Sequence, residues 1–421
     1  MGENGNNMDS NNTNSRIPKL RFPGFEREWE EKSFGELYEK HNVKNDMSFG
    51  VDKIISVANM YYKSDVTIGE EGYLRTYNIF RLGDIAYEGH KSAQYEYGRF
   101  VANSLGDGIV SHVFDVYSPI SPKHCIEYWK YTINYERIMR PVLEKSTKQS
   151  TMMNNLVERD LLKQKILVPP TLAEQQKIAL CLSELDNLIT AQGQKVDALK
   201  EKKKGMMQQM FPQKGETVPR LRFPGFTGDW TEKKLREVFS RITRKNSENN
   251  KNVLTISAQY GLINQLDFFK KSVSAVDLTG YYLLHKGEFA YNKSSSQGRP
   301  VGAIKPLKLY DKGVVSTLYM CFKCKDSREI GFWEQYFDAG MLDKEIASIA
   351  QEGARNHGLL NISTRRFFEL SVIVPTLPEQ RKIASSLSAL DDIITAEAEK
   401  LKALKNHKKG LMQQLFPQPA K

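Results

Sequence analysis

Two stretches of the chain place apolar residues at alternating steps of four and three. In the first the positions are Ile178, Leu182, Leu185, Ile189, Gln192, Val196, Leu199, Lys203, Met206 and Met210. In the second they are Ile383, Leu387, Leu390, Ile394, Glu397, Leu401, Leu404, Lys408, Leu411 and Leu415. That spacing keeps one stripe on one side of a helix and is the pattern of a coiled-coil seam. Thr171 with Glu174, and Thr376 with Glu379, read as capping boxes at the two starts. In such a box the hydroxyl takes an amide of the first turn and the glutamate reaches back. Phe211-Pro212 and Phe416-Pro417 end the helices, because the residue before proline is pushed out of helical backbone. About 40 residues at ~1.5 Å each predict two rods of roughly 60 Å.

The polar residues within the seams predict how the rods pair. If the rods are antiparallel and facing residues have numbers summing to 600, Lys203 faces Glu397 and Gln192 faces Lys408. The remaining layers are then apolar. A parallel in-register pairing stacks Lys203 on Lys408, and buried like charges are costly. Buried polar layers commonly fix register. The expectation is an intramolecular antiparallel coiled coil registered by Gln192, Lys203, Glu397 and Lys408.

Outside the rods the texture changes. "KIISVANMYY" (53–62) and "GIVSHVFDVYS" (108–118) are β-rich, and "IEYWKYTINYERIM" (126–139) has helical spacing. These segments predict mixed α/β (α+β) globules, with Trp129 and Trp333 in their cores.

The globules are copies. "PKLRFPGF" (18–25) returns as "PRLRFPGF" (219–226), an offset of 201 residues. "GDIAYE" (83–88) returns as "GEFAYN" (287–292), and "TLAEQQKIALCLSELDNLITA" (171–191) as "TLPEQRKIASSLSALDDIITA" (376–396). The order is constant and the offset drifts by only four residues, so one unit of about 200 residues is used twice. The expected organisation is a disordered tail (1–17), a first head (18–170), a first rod (171–213), a second head (214–375) and a second rod (376–421). Antiparallel rods of equal length would relate the heads by a pseudo-twofold axis. The end of the second rod should then return to the first "FPGF", and both copies of that phrase should share one local fold.

Composition narrows the class. With 421 residues and 40 % of them apolar, the chain can bury real cores in two or more domains. The Asn-rich N-terminal run lacks the basic and apolar regions of a signal peptide, and no stretch is apolar enough for a membrane span. The 61 basic and 50 acidic residues leave a charge of +11, which favours nucleic acid over membrane as polyanionic partner. Cys125, Cys181, Cys321 and Cys324 are few and scattered, which suits a reducing cytosol and a cytoplasmic protein. Cys321 and Cys324 form a lone C-x-x-C with no further ligands at zinc-site spacing. On a strand they face opposite sides, so no metal is expected there.

Catalytic signatures are missing. The chain has no phosphate-binding G-x-x-x-x-G-K-[ST] loop, no H-E-x-x-H and no Asn-Pro-Pro-Tyr methyltransferase motif. Glu201-Lys202-Lys203 resembles the tail of a nuclease motif but lies on a rod, where a solvated charged face explains it. The expectation is binding rather than catalysis, with no catalytic residue and no metal.

At this point the residues carry a resemblance. Each head follows an "FPGF" phrase, leads into "VPPTLAEQQKIA" or "VPTLPEQRKIA", and continues in a helix ending "KKGMMQQMFPQ" or "KKGLMQQLFPQ". Over residues 17–421 this is similar to the DNA specificity subunit of a type I restriction-modification enzyme. The resemblance implies two target-recognition domains, each reading one half of a bipartite sequence in double-stranded DNA. It also implies that the helical regions form an antiparallel coiled coil setting the length of an unread spacer. Such a subunit is not an enzyme. It docks two methyltransferase (modification) subunits and two restriction subunits. S-adenosylmethionine, ATP and Mg belong to those partners, and this subunit binds no cofactor.

Two loops in each head have the composition of a DNA-reading surface. The first pair is "YEGHKSAQYEYGR" (87–99) and "YNKSSSQGR" (291–299). From it the candidates are Tyr87, His90, Lys91, Ser92, Gln94, Tyr95 and Arg99, and Tyr291, Asn292, Lys293, Ser294, Ser295, Gln297 and Arg299. The second pair precedes the rods, at 144–155 and 351–358. It adds Lys145, Lys148, Gln149, Arg355, Asn356 and His357. Arg, Lys, Asn and Gln read base edges, while Ser, Tyr and Lys also hold phosphates. The bland alternative for each is a solvated loop residue, and for Tyr87 and Tyr291 a packed strand end. Lys200, Lys202, Lys204, Lys405 and Lys409 mark outer rod faces that solvation alone accounts for. A different class, a coiled-coil adaptor holding two protein partners without DNA, would show no salt-dependent, sequence-selective DNA binding.

Overall fold

Ile85–Glu88 is buried on both faces, and this places it inside a sheet rather than at its edge. It pairs on one side with Asp115–Pro119 and on the other with Arg99–Ala102. Tyr38–Lys40 completes an antiparallel sheet of four strands. Strand parity sends alternate residues to two cores. Ile85, Tyr87, Phe100 and Tyr117 join Tyr128, Trp129 and Met139, from the helices Ile126–Ile133 and Glu136–Glu144, in one core. Ala86, Val101 and Val116 join Ile55, Phe80 and Val110 in the other. The computed structural model describes residues 16–64, 66, 71–151, 153–257, 261–268, 277–295, 298–326, 330–352 and 360–417. The expected tail therefore lies outside the described residues, apart from Arg16 and Ile17.

The second head repeats this plan. Its sheet runs Phe239–Ile242, Met320–Cys324, Phe289–Asn292, Ala303–Pro306, again antiparallel. Phe289, Phe322 and Cys324 face a core that holds Trp333, and Ala290 and Cys321 face another with Leu254 and Val315. The two cysteines thus point to opposite faces. Among the described residues no group of His, Cys, Asp and Glu is placed to hold a metal.

The rods are the helices Leu172–Met210 and Leu377–Leu415. Every seam position is buried or half-buried, while Lys200, Lys202, Lys204, Lys405 and Lys409 are exposed. The chain divides into two compact units, one of residues 1–192 with 400–421, the other of residues 193–399. Each unit is therefore one head with a part of both long helices.

The expected register needs correction. In the second unit the Lys203 ammonium donates to both oxygens of Asp391, at 2.6 and 2.7 Å, and Lys195 reaches Glu397 at 2.5 Å. In the first unit Lys408 donates to both oxygens of Asp186, at 2.6 and 2.7 Å. These pairs fall six to eight short of the expected sum of 600, about one heptad away. The physical reason is that Asp186 and Asp391 flank the seam rather than sit in it. Each also takes a bond from its own head, from the Tyr131 hydroxyl at 2.8 Å and the Gln335 amide at 2.8 Å. A carboxylate with two donors outweighs the polar layer predicted from the seam alone.

The first capping box is only half formed, and in both the glutamate is taken by a distant arginine. The Glu174 amide donates to the Thr171 hydroxyl at 3.2 Å, as expected. The Glu174 carboxylate, however, turns away to Arg21, at 2.8 and 2.9 Å, and to the Trp29 indole at 3.1 Å. Glu379 is held by Arg222 at 2.7 and 2.8 Å. Both arginines belong to the duplicated "LRFPGF" phrase, whose two copies do share a local fold. Gly24 and Gly225 have φ of +89° and +90°, a backbone that favours glycine. Leu20 donates to the Gln414 carbonyl at 3.0 Å, and Leu221 to the Gln209 carbonyl at 2.9 Å. Trp29 meets Phe416 edge-on at 6.2 Å, and Trp230 meets Phe211 at 6.3 Å. Each phrase is thus bound to the start of one long helix and the end of the other. Residues 418–421 lie outside the described residues.

Candidate nucleic-acid interface

In the first head, the loop 87–99 is closed by Tyr87. Its side chain is buried, and its hydroxyl donates to the Tyr97 carbonyl at 2.8 Å. Burial pushes the Tyr87 phenol well above its ordinary value. In the second head the Tyr291 hydroxyl donates to the Val301 carbonyl at 2.6 Å, and that residue is fully buried. Tyr87 and Tyr291 are therefore corrected from contacts to supports. A phenol enclosed at a strand end uses its one donor within the loop it braces.

The structure brings the two loops of the first head together. Thr147–Lys148 pairs with Asn155–Leu156 as the two arms of a hairpin that follows the helix ending at Glu144. His90 bridges to Met153, and the Asn154 amide N–H donates to the Gly89 carbonyl at 2.8 Å. The Asn154 side-chain amide donates to the Glu96 carbonyl at 2.8 Å. Gly89 permits this approach, since a Cβ there would lie 2.3 Å from the Asn154 carbonyl oxygen. His90, Lys91, Ser92, Gln94, Lys145, Lys148 and Gln149 are exposed on the joined loops.

Arg99 and Tyr95 are more committed. The Arg99 guanidinium donates to Glu88 at 2.7 Å and to the Ala58 carbonyl at 3.2 Å, and it lies 5.0 Å over the Tyr95 ring. Burial works against its charge, but the Glu88 carboxylate more than offsets this and holds the pKa above its ordinary value. Beside them opens a cavity of about 230 Å³ lined by Tyr95, Arg99, Lys130 and Glu136 among others.

The second head has the same plan. Leu360 donates to the Lys293 carbonyl at 3.0 Å, and Gln351–Glu352 pairs with Leu360–Asn361. Asn292, Lys293 and Ser294 are half-buried and Ser295 is exposed, with the Asn292 side-chain oxygen accepting from the Ser294 amide at 3.1 Å. Arg299 turns toward Asp338 at 3.5 Å. Arg99 and Arg299 end similar phrases but are not equivalent in space. Glu88 pairs with Arg99, whereas its counterpart Asn292 pairs with Ala303. Gln297, Arg355, Asn356 and His357 lie outside the described residues.

Sequence reading passed over Gly89, Glu96 and Asn154. The available signal was a buried-type role for asparagine in a polar loop, which composition alone does not separate from solvation.

Among the described residues no helix is long and apolar enough to cross a membrane. Residues 26–201 and 227–406 each match the type I restriction modification DNA specificity domain. The MjaX specificity subunit of a type I restriction enzyme from Methanocaldococcus jannaschii is 22 % identical over 386 residues, covering 87 % of this chain and 84 % of that one. The MjaVIII specificity subunit from the same organism is 28 % identical over 278 residues, covering 60 % and 61 %. In fold, the crystal structure of the type I S subunit from M. genitalium matches with a TM-score of 0.54 at 13 % identity, covering 95 % of this chain and 99 % of that one. A structure of the type I R-M system described for its complex assembly and conformational transition matches at 0.53 and 14 % identity, covering 94 % and 99 %. Twice-matched over most of its length, the chain belongs to the type I restriction-modification DNA specificity family.

Proposed function

We propose that each head reads one half of a bipartite target in double-stranded DNA. The long helices pair as one antiparallel coiled coil that sets the unread spacer. The chain is the non-catalytic member of a cytoplasmic complex, docking two methyltransferase and two restriction subunits. S-adenosylmethionine, ATP and Mg serve those partners.

The observation that supports this reading most is the duplicated pair of joined loops. In the first head it gathers His90, Lys91, Ser92, Gln94, Lys148 and Gln149 on one exposed edge. Lysines there match phosphates, and histidine and glutamine match base edges. Membership of the specificity family supports the assignment of methyltransferase and restriction partners.

Single-molecule methylome mapping of cells that express the chain with its methyltransferase tests the proposal. The expected result is a methylated adenine motif of two short half-sites separated by an unspecified gap. A contiguous motif would overturn it.

A further inference from the structure

Asn154 is 2 % exposed, yet it sits between two loops that carry the exposed His90, Lys91, Ser92, Gln94, Lys148 and Gln149. Its backbone N–H holds the Gly89 carbonyl and its side-chain amide holds the Glu96 carbonyl, both at 2.8 Å. One residue thus ties the base and the crest of the loop 87–99 to the hairpin whose arms are Thr147–Lys148 and Asn155–Leu156. Among the described residues the second head has the main-chain tie, from Leu360 to Lys293 at 3.0 Å, and a leucine side chain has no donor for a crest. Filling this position therefore does not require asparagine. The Asn154 Oδ1 is also buried without a hydrogen-bond partner among the described residues. Such an acceptor is costly, so stability alone favours an apolar residue here.

We infer that Asn154 is a positioning residue for recognition of the half-site taken by the first head. Its amide fixes the crest Ser92–Glu96 against the hairpin arm that begins at Asn155, so that Lys91, Gln94, Lys148 and Gln149 approach the duplex as one surface. Without the amide the crest keeps its Tyr87 brace but loses its tie to the hairpin. The exposed side chains remain present and charged, while their mutual placement loosens. Recognition of bases depends on that placement, whereas attraction to phosphates depends mainly on charge. This inference rests on the DNA-reading role proposed above.

The test uses the full-length chain assembled with its methyltransferase, carrying Asn154→Leu or Asn154→Ala. The probes are duplexes with the motif returned by methylome mapping, and the same duplexes with one base pair changed in either half-site. Discrimination at the first half-site should fall by about tenfold, within the usual range for one mismatch. Discrimination at the second half-site and the salt dependence of affinity should not change. Asn154→Leu should fold, since leucine fills the equivalent place in the other head. Unchanged discrimination in Asn154→Leu overturns the inference. So does failure of both variants to fold, or an equal loss at both half-sites, since either marks a purely structural role. A wild-type complex with no discrimination at all would instead overturn the DNA-reading role itself.

Discussion

The guanidinium of Arg21 grips the carboxylate of Glu174 at 2.8 and 2.9 Å, across 153 residues of sequence. Glu174 is 1 % exposed. Removing the cation from a buried pair leaves an uncompensated charge, at a typical cost of ~3–5 kcal/mol. The Trp29 indole still donates to Glu174, which places Arg21→Ala near the lower end, about 3 kcal/mol. Arg21→Ala with Glu174→Gln should recover part of that loss. Chemical denaturation of the single and double variants checks both statements. A loss below about 0.5 kcal/mol in Arg21→Ala would show that the pair does not hold the phrase to the helix.

The helix pairing makes a second prediction. Lys203 and Asp391 should show a coupling energy of about 1 kcal/mol in a double-mutant cycle, in keeping with a partly exposed ion pair. Lys203 and Glu397 should show almost none. Exchanging the charges, with Lys203→Asp and Asp391→Lys, should restore much of what each single change costs. The reverse ranking would return the register to the one read from the seam.

His124 gives a pH dependence. Its imidazole lies flat on Trp129 at 5.3 Å and shares a hydrogen bond with the Tyr38 hydroxyl at 3.2 Å. Burial pulls its pKa down from 6.5 to about 4. Between those values the unfolded chain binds a proton that the folded chain refuses. Stability is therefore complete above about 6.5 and falls as the pH drops toward 4, by ~3 kcal/mol in all. His124→Phe keeps the ring stack and should flatten this part of the profile, as measured by urea denaturation across that range.

Charge at the loops should be visible in the salt dependence of DNA binding. Lys91 and Lys148 are exposed on the joined loops, and among the described residues no ion pair holds either one. If each neutralises one phosphate, Lys91→Ala and Lys148→Ala should each lower the slope of log K against log salt by about 0.9. Affinity should weaken alike for cognate and altered duplexes. Slopes equal to that of the wild type would remove these lysines from the contact surface.

Particular residues show why some features were legible in the sequence and others were not. The seams were, because a stripe that must be buried along a straight helix leaves the same spacing wherever it occurs. The register was not, because it is set by Asp186 and Asp391, flanking residues that also bind Tyr131 and Gln335 from the heads. Glu174 read as a local cap because sequence shows its neighbours, whereas its strongest partner arrives from Arg21. Tyr87 looked like a loop contact because it borders polar residues. Its strand is buried on both faces, so alternation gave no warning. Asn154 was passed over for the same reason in reverse, since a buried asparagine and a solvated one have the same letter.

The aromatic packing around Phe416 has a consequence for biosynthesis. The core of the first head contains Trp29 and Tyr128 together with Leu415 and Phe416. Residues leave the ribosome in numerical order, so most of that head is made long before its last wall. The second unit draws only on residues 193–399 and has all its parts earlier. The head translated first is thus the one completed last, with an aromatic surface uncovered while the rest is made. Such surface is where nascent chains aggregate or recruit chaperones. Slow or interrupted translation near the second long helix should therefore harm the first head more than the second.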